Sequence, residues 1–252
     1  MTATKTVLVT GAARRIGRAV ALDLARHGWA VAVHYNHSAE AAEEVVDEIE
    51  ALGGRAVALD ADLFSEQDVQ ALIPRAVEAL GPLDALVNNA SVFEWDTAMT
   101  ATRASWDLHM EVNLRAPFVL MQHFAALLPP ETDGAIVNLI DERVFNLTPY
   151  FTSYTVSKAA LWALTQTMAL ALAPHIRVNG IGPGPALPSA RQTDEQFARQ
   201  CEAMPLKRGT SPEEIAEAVR FLLSMPSLTG QMIALDGGQH LGWAPAGQPP
   251  EE

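Results

Sequence analysis

The sequence holds one cysteine, Cys201, so no intrachain disulfide can form, which fits a reducing compartment. On a polar helical stretch, that thiol reads as a bystander rather than a nucleophile. Positive charge is also scarce: 17 lysines and arginines face 30 acidic residues, for a net charge of −13. So acidic a surface repels phosphate backbones and anionic lipid, which argues against nucleic-acid and membrane partners. A local basic pocket for a small anion remains compatible with it. No window approaches ~18 uncharged apolar residues, so no membrane span is expected. Met1 to Thr6 has neither the basic start nor the apolar run of a signal peptide. There is no internal repeat. These absences lead to the expectation of a cytoplasmic protein acting on a small molecule, with no metal site.

What is present is a chain of 252 residues, 49% hydrophobic, which suits one large α/β domain. Short runs rich in alanine and β-branched residues alternate with longer helical patterns. The runs are Thr6 to Thr10, Ala30 to His34, Ala56 to Leu59, Ala85 to Val87, Ala135 to Leu139, Ile176 to Asn179 and Met232 to Leu235. They are too short for helices and apolar on both faces, as strands of a buried parallel sheet must be. Helical stretches Arg15–His27, Ala39–Leu52 and Ser65–Leu80 each end near glycine, at Gly28, Gly53 and Gly81. The pattern predicts a Rossmann-type, doubly wound α/β sheet of about seven parallel strands with helices on both faces, ligands lying at the carboxyl ends of the strands. The expected single domain is 1–243, with a substrate loop around 183–205 and a disordered proline-rich tail at 244–252.

The first strand runs into Thr10-Gly11-Ala12-Ala13-Arg14-Arg15-Ile16-Gly17 and then a helix. Small residues let the backbone approach a pyrophosphate, and the helix N-terminus offers free N–H groups. The loop does not match G-x-G-x-x-G, and as a bare feature it is an ordinary strand-to-helix turn. It resembles the T-G-x-x-x-G-x-G segment of the short-chain dehydrogenases/reductases, with Arg15 in place of the middle glycine. The pteridine reductase branch of that family carries arginine there, in a T-G-A-A-[KR]-R-[LI]-G string. The resemblance implies that Gly11, Arg14, Arg15, Ile16 and Gly17 bind a nicotinamide cofactor and that Arg15 also faces the substrate.

At the end of the second strand, NAD-binding proteins place a carboxylate on the ribose hydroxyls. Here the stretch reads His34-Tyr35-Asn36-His37-Ser38, with no acid before Glu40. Asn36, His37 and Ser38 offer donors and Arg14 offers charge, which favours a 2′-phosphate and hence NADPH. Ser38 can also cap the second helix. The string resembles the H-Y-x-x-S of pteridine reductases, which brings Tyr35 into the cofactor set. Asp62-Leu63 resembles the segment of the family's adenine-contacting aspartate, although as a bare feature it could be a cap for the helix beginning near Ser65. Asn88-Asn89-Ala90-Ser91 resembles the family's N-N-A-G, and specifically the N-N-A-S of pteridine reductases. The resemblance implies cofactor contacts from Asn89, Ala90 and Ser91 and a substrate contact from Ser91. It also implies that Phe93 stacks on a flat heteroaromatic substrate, whereas without the family it reads equally as a core or lid phenylalanine.

Tyr154 and Lys158 stand one turn apart on a helix expected over Ser153–Leu172, so both side chains share a face. A phenol ordinarily titrates near ~10, and an adjacent ammonium favours its ionised form. A lone Y-x-x-x-K is common by chance; its place after the fifth strand gives it meaning. Asn113 matches the family asparagine that holds a proton-relay water, and without the family it reads as a helix interruption or a buried satisfied amide. Carbonyl-reducing members place serine thirteen residues before the tyrosine. Here that residue is Asp141, and no serine lies between Ser105 and Ser153. Pteridine reductases have aspartate there too. Reducing C=N needs a proton on nitrogen, which a carboxyl can shuttle, whereas an anionic carboxylate repels a developing oxyanion. Asp141 can alternatively brace its loop with Arg143. Pro183-Gly184 resembles the family turn beside the nicotinamide.

The resemblance spans roughly Lys5 to Gly242. It implies an NADPH-dependent reductase of a pterin- or dihydropterin-like C=N, with Tyr154, Lys158, Asp141 and Asn113 as the catalytic set. It also implies a homotetramer or homodimer, paired through the helices holding 113–128 and 154–172. A general carbonyl reductase of 3-oxoacyl carriers or sugars is the alternative, and a non-catalytic NADPH-binding relative is a second one.

Overall fold

A computed structural model of the chain describes residues 4–242. Seven strands form a single sheet: β1 (Thr6–Val9), β2 (Ala30–Tyr35), β3 (Ala56–Asp60), β4 (Ala85–Asn88), β5 (Gly134–Leu139), β6 (Ile176–Pro183) and β7 (Met232–Leu235). Their order is β3-β2-β1-β4-β5-β6-β7, with every pair parallel. Every helix pattern and strand run expected from the sequence is present, most with boundaries shifted by a residue or so. The exception is β6, which continues past Asn179 to Pro183, because the run Gly180-Ile181-Gly182 still pairs with β7. The expected tail at 244–252, and Trp243 at the domain's end, lie outside the described residues.

Alternation within the strands divides the apolar residues between two cores. Val7 and Val9 of β1, with Val137 and Leu139 of β5, pack beneath α1 (Arg15–Arg26), α2 (Ala39–Ala51) and α8 (Pro212–Ser224). Leu8, Leu86 and Ile136 pack on the other face, beneath α3 (Glu66–Leu80), α5 (Ala116–Leu127) and α6 (Thr152–Ala171). The remaining helices are α4 (Arg103–Met110) and α7 (Asp194–Ala203), the latter carrying half-buried Cys201. Each buried Val or Leu contributes about 1.5–3 kcal/mol, so this two-sided burial is what holds the central strands. Gly28, Gly53 and Gly81 stop α1, α2 and α3 with positive φ, as expected. No described helix is long and apolar enough to cross a membrane.

The topology matters for the site at one point. β1 and β4 are neighbours, and the chain leaves β1 toward β2 on one side and β4 toward β5 on the other. The loops after β1 and β4 therefore diverge and leave a crevice at their carboxyl ends.

Candidate functional site

The crevice is built first by Thr10. Its Oγ accepts the N–H groups of Asn89 (2.9 Å) and Ala90 (3.0 Å), while the Asn89 side chain donates to the carbonyl of Thr10 at 2.8 Å. The ends of β1 and β4 are thereby locked together. Gly11 has φ +63°, and an added Cβ would sit 3.1 Å from the Ala90 backbone; at Gly17 a Cβ would meet the Gly11 carbonyl at 2.2 Å. These two glycines let the turn close and α1 approach it. Arg15 instead adopts φ +53° with a full side chain, a left-handed conformation that costs a non-glycine residue ~1 kcal/mol. Its guanidinium donates to the carbonyls of Pro188 (3.1 Å) and Leu187 (3.4 Å), tying the phosphate-type turn to the loop after β6.

His34 holds the turn from the other side. The Gly11 N–H donates to its Nδ1 at 2.9 Å, so the neutral ring carries its proton on Nε2, 3.1 Å from the Ala61 carbonyl. The ends of β1, β2 and β3 are thus linked in a row, with Tyr35 half-buried and Asn36 and His37 exposed beside them. Burial lowers the pKa of His34 to about 4, mainly by desolvation. An unfolded histidine titrates near ~6.5, so between those values the unfolded chain binds a proton that the folded chain refuses. The stabilisation is complete above pH ~6.5 and is lost as pH falls toward 4. We expect about 2 kcal/mol of this loss between pH 7 and 5 in urea unfolding. A His34→Gln chain should lack that part of the slope; parallel profiles for the two proteins would show that His34 is not the group concerned.

This edge of the sheet carries features that suit a dinucleotide. α1 has no side-chain cap at Arg14 and no acidic residue in its first turn, so its leading N–H groups face the crevice without a competing carboxylate. Asn36, His37 and half-buried Ser38 offer donors; Ser38 makes no capping hydrogen bond to α2. Asp62 is half-buried beside buried Leu63, and its Oδ1 accepts the N–H of Phe64 at 3.0 Å.

Beyond the crevice lies a cavity of about 300 Å3. Of the residues singled out from the sequence, Arg15, Ile16, Asn89, Ser91, Phe93, Asp141, Tyr154, Lys158, Pro183 and Gly184 all line it. Tyr154 donates its hydroxyl proton to Asp141 Oδ2 at 2.7 Å. Asp141 Oδ1 accepts the N–H of Arg143 at 2.9 Å and lies 3.5 Å from its Nε, so the bracing of the loop is real as well. One carboxylate oxygen serves the loop and the other meets the phenol. Lys158 is buried and donates from Nζ to the Leu139 carbonyl at 2.8 Å; desolvation lowers its pKa to about 8, opposed by the Asp141 charge. The ammonium lies 5.8 Å from the Tyr154 ring centroid.

Asn113 does not line the cavity. It sits in a π-helical stretch, Glu111–Arg115, between α4 and α5, fully buried. Its amide oxygen accepts from Ser91 Oγ (3.1 Å) and Val92 N–H (2.9 Å), and its nitrogen donates to Val92 O (3.0 Å) and Ser157 Oγ (3.1 Å). It is thus both a helix irregularity and a satisfied amide, tying the Ser91 loop to α6. Phe93 stacks on Phe151, with centroids 4.3 Å apart, and sets its ring edge-on to Tyr154 at 4.6 Å.

Sequence reasoning missed several neighbours. Arg143 is buried, with its guanidinium 5.3 to 5.6 Å from the rings of Phe151, Tyr154 and Phe93. Arg191, in the loop after β6, donates to the Phe93 carbonyl at 3.0 Å and lies 4.9 Å over its ring. With Arg15 it fastens that loop at both ends across the cavity. Nothing local in the sequence marks Arg191, because its partner Phe93 lies 98 residues away.

Comparison with known proteins agrees with this geometry. The family model for enoyl-(acyl carrier protein) reductase matches residues 11–240. The 3-oxoacyl-[acyl-carrier-protein] reductase FabG of Staphylococcus epidermidis is 35% identical over 242 residues, covering 94% of this chain and 99% of the relative. The L-rhamnose 1-dehydrogenase (NAD(P)(+)) of a Sphingomonas species is 35% identical over 245 residues, covering 94% and 96%. Among solved structures, the FolM alternative dihydrofolate reductase 1 of Brucella suis, in complex with NADP, is 49% identical. It superposes with a TM-score of 0.94, covering 98% of this chain and 99% of that one. Sheet order, crevice and aligned relatives converge: the chain belongs to the short-chain dehydrogenase/reductase family of oxidoreductases.

Proposed function

We propose that the protein uses NADPH to reduce the C=N bond of a pterin- or dihydropterin-like heteroaromatic. The observation that carries this reading is the hydrogen bond from Tyr154 to Asp141. NADPH supplies the hydride when bound; the residues present supply the rest. The N–H groups opening α1, with Arg14 and Arg15, fit the pyrophosphate, and Asn36, His37 and Ser38 fit a 2′-phosphate, with Tyr35 beside them. Asp62 and Leu63 flank the adenine end, while Asn89, Ala90, Ser91, Pro183 and Gly184 flank the nicotinamide end. The Lys158 ammonium, present below about pH 8, would hold the ribose.

For each C=N reduced, carbon gains a hydride and nitrogen gains one proton. Tyr154 and Asp141 share a hydrogen bond along which that proton can pass to a ring nitrogen, and the carboxylate can also accept an N–H of the substrate. Phe93 and Tyr154, in edge-to-face contact, form adjoining walls of a slot that suits a flat ring. Asn113 acts by fixing Ser91 and α6. The Brucella FolM likeness, at 49% identity, supports this substrate class. A homotetramer or homodimer is part of the same reading: Leu127, Val156 and Leu170 on α5 and α6 are apolar and exposed.

The FabG likeness favours a second reading, reduction of a 3-oxoacyl carrier. Steady-state assays with NADPH and biopterin, 7,8-dihydrobiopterin or dihydromonapterin, against acetoacetyl-coenzyme A, separate the two. We expect kcat/KM for at least one pterin to exceed that for the ketone by tenfold or more. Inert pterins beside a ketone that turns over would sink the pterin reading.

A further inference from the structure

We propose that His109, Asp96 and Ser153 form a buried brace that fixes the angle between two adjoining walls of the substrate slot, making them positioning residues for substrate binding. The inference rests on the reading of Phe93 and Tyr154 as the slot's walls. Those walls belong to chain segments far apart in sequence, and the brace backs up their direct ring contact.

His109, on α4, is fully buried, and its two ring nitrogens point to opposite walls. Nε2 accepts the N–H of Glu94, the residue after Phe93, at 3.0 Å. Since Nε2 must accept, the neutral ring carries its proton on Nδ1. Nδ1 lies 2.9 Å from the Ser105 carbonyl and 2.7 Å from the hydroxyl of Ser153, the residue before Tyr154. Asp96, only 2% exposed, completes the connection. Its Oδ1 accepts the Ser153 N–H at 3.1 Å; its Oδ2 accepts the Ser153 hydroxyl and, at 3.2 Å, that of Ser105. Its backbone carbonyl accepts the N–H of Phe151, the ring on which Phe93 stacks, at 2.8 Å.

Residues 94–96 are therefore bound to 151–153 both directly and through one imidazole. The carboxylate also does the work of a cap for α6, whose first residue follows Phe151, a side chain with no oxygen to offer. Polar groups buried this completely stay only where every bond is made, so the brace has one geometry rather than several. The edge of the His109 ring faces Tyr154, with centroids 6.0 Å apart, so a shift of the imidazole is passed to the phenol.

The brace is also pH-sensitive in one direction. Protonation would put a second N–H on Nε2, opposite the N–H of Glu94, and two donors cannot share that contact. The charged groups facing the ring are Glu94 and Asp96 from the loop, which favour protonation, and Lys158 from α6, which opposes it. Burial outweighs them and keeps the ring below its ordinary pKa. The slot is accordingly set at neutral pH and loosens on acidification.

The test uses His109→Gln, which keeps an acceptor for Glu94 but loses the donor to Ser153, and Ser153→Ala, which cuts the same link from α6. The substrate is 7,8-dihydrobiopterin, or acetoacetyl-coenzyme A if the wild type reduces only the ketone. In both variants we expect KM to rise at least tenfold, kcat to change less than threefold, and the Kd for NADPH to stay within twofold. In the wild type KM should rise on acidification, and in His109→Gln that rise should vanish. Amide exchange at Glu94, Phe151 and Ser153 should quicken in both variants, a readout independent of turnover. Wild-type KM together with wild-type exchange in whichever variants fold would overturn the proposal, as would KM and the NADPH Kd rising in step. Phe93→Ala separates the failures: if it leaves KM unchanged the slot reading falls, whereas a raised KM there with normal His109→Gln kinetics defeats the brace alone.

Discussion

Replacing Tyr154 by phenylalanine is expected to lower kcat by about 10²–10⁴, the usual contribution of a positioned general acid, with NADPH binding intact. The ring would remain packed edge-on to Phe93, so the fold and slot should survive. What disappears is the hydroxyl that donates to Asp141 and the only phenolic proton within its reach on α6. Stopped-flow absorbance gives the rate, and fluorescence titration gives the NADPH affinity. Turnover close to wild type would remove Tyr154 from the mechanism, and loss of NADPH binding would mark it as a binding residue instead. The same assay in the wild type carries a pH signature. Lys158 is cationic below about pH 8 and neutral above it, so a contribution from its charge is present at neutral pH and declines as pH rises through 8.

The second large effect is expected at Asp141. Asp141→Ser should lower pterin reduction by at least about 10², because a neutral hydroxyl cannot form an ion pair with a protonated ring nitrogen. In the same protein, reduction of acetoacetyl-coenzyme A should rise, since a neutral hydroxyl can polarise a carbonyl that a carboxylate repels. The variant should also be less stable. It removes a carboxylate 3.5 Å from Nε of Arg143, a residue that is 4% exposed, and with it a buried ionic contact. Asp141→Asn separates the two effects, because it retains an acceptor for the Arg143 N–H but carries no charge. If Asp141→Ser reduces pterin and ketone with unchanged preference, the carboxylate does not set substrate choice.

Much of this protein is legible along the chain. The sheet follows from runs that are apolar on both faces, and helix ends follow from Gly28, Gly53 and Gly81, whose positive φ is read directly from residue type. Tyr154 and Lys158 were legible because helical spacing is a local rule. Asp141 was legible only through the family resemblance, which makes the position thirteen residues before the tyrosine informative. The edges of the sheet were less so: β3 and β7 are only half-buried, although their runs look like those of the central strands.

What the amino-acid sequence determined by itself is therefore what depends on periodicity and backbone preference, the doubly wound sheet and its turns, while the tyrosine–lysine–aspartate set was read through the family resemblance. What only the tertiary structure decided is how those residues are held. Thr10 locks Asn89 across the switch point, His34 turns a nitrogen to the Gly11 N–H, and Arg15 and Arg191 fasten one loop from two sides. His109 and Asp96 brace the two walls of the slot. The physical reason is the same in each case. A hydrogen bond between residues far apart in the chain depends on where the strands bring their ends, and no local pattern encodes that distance.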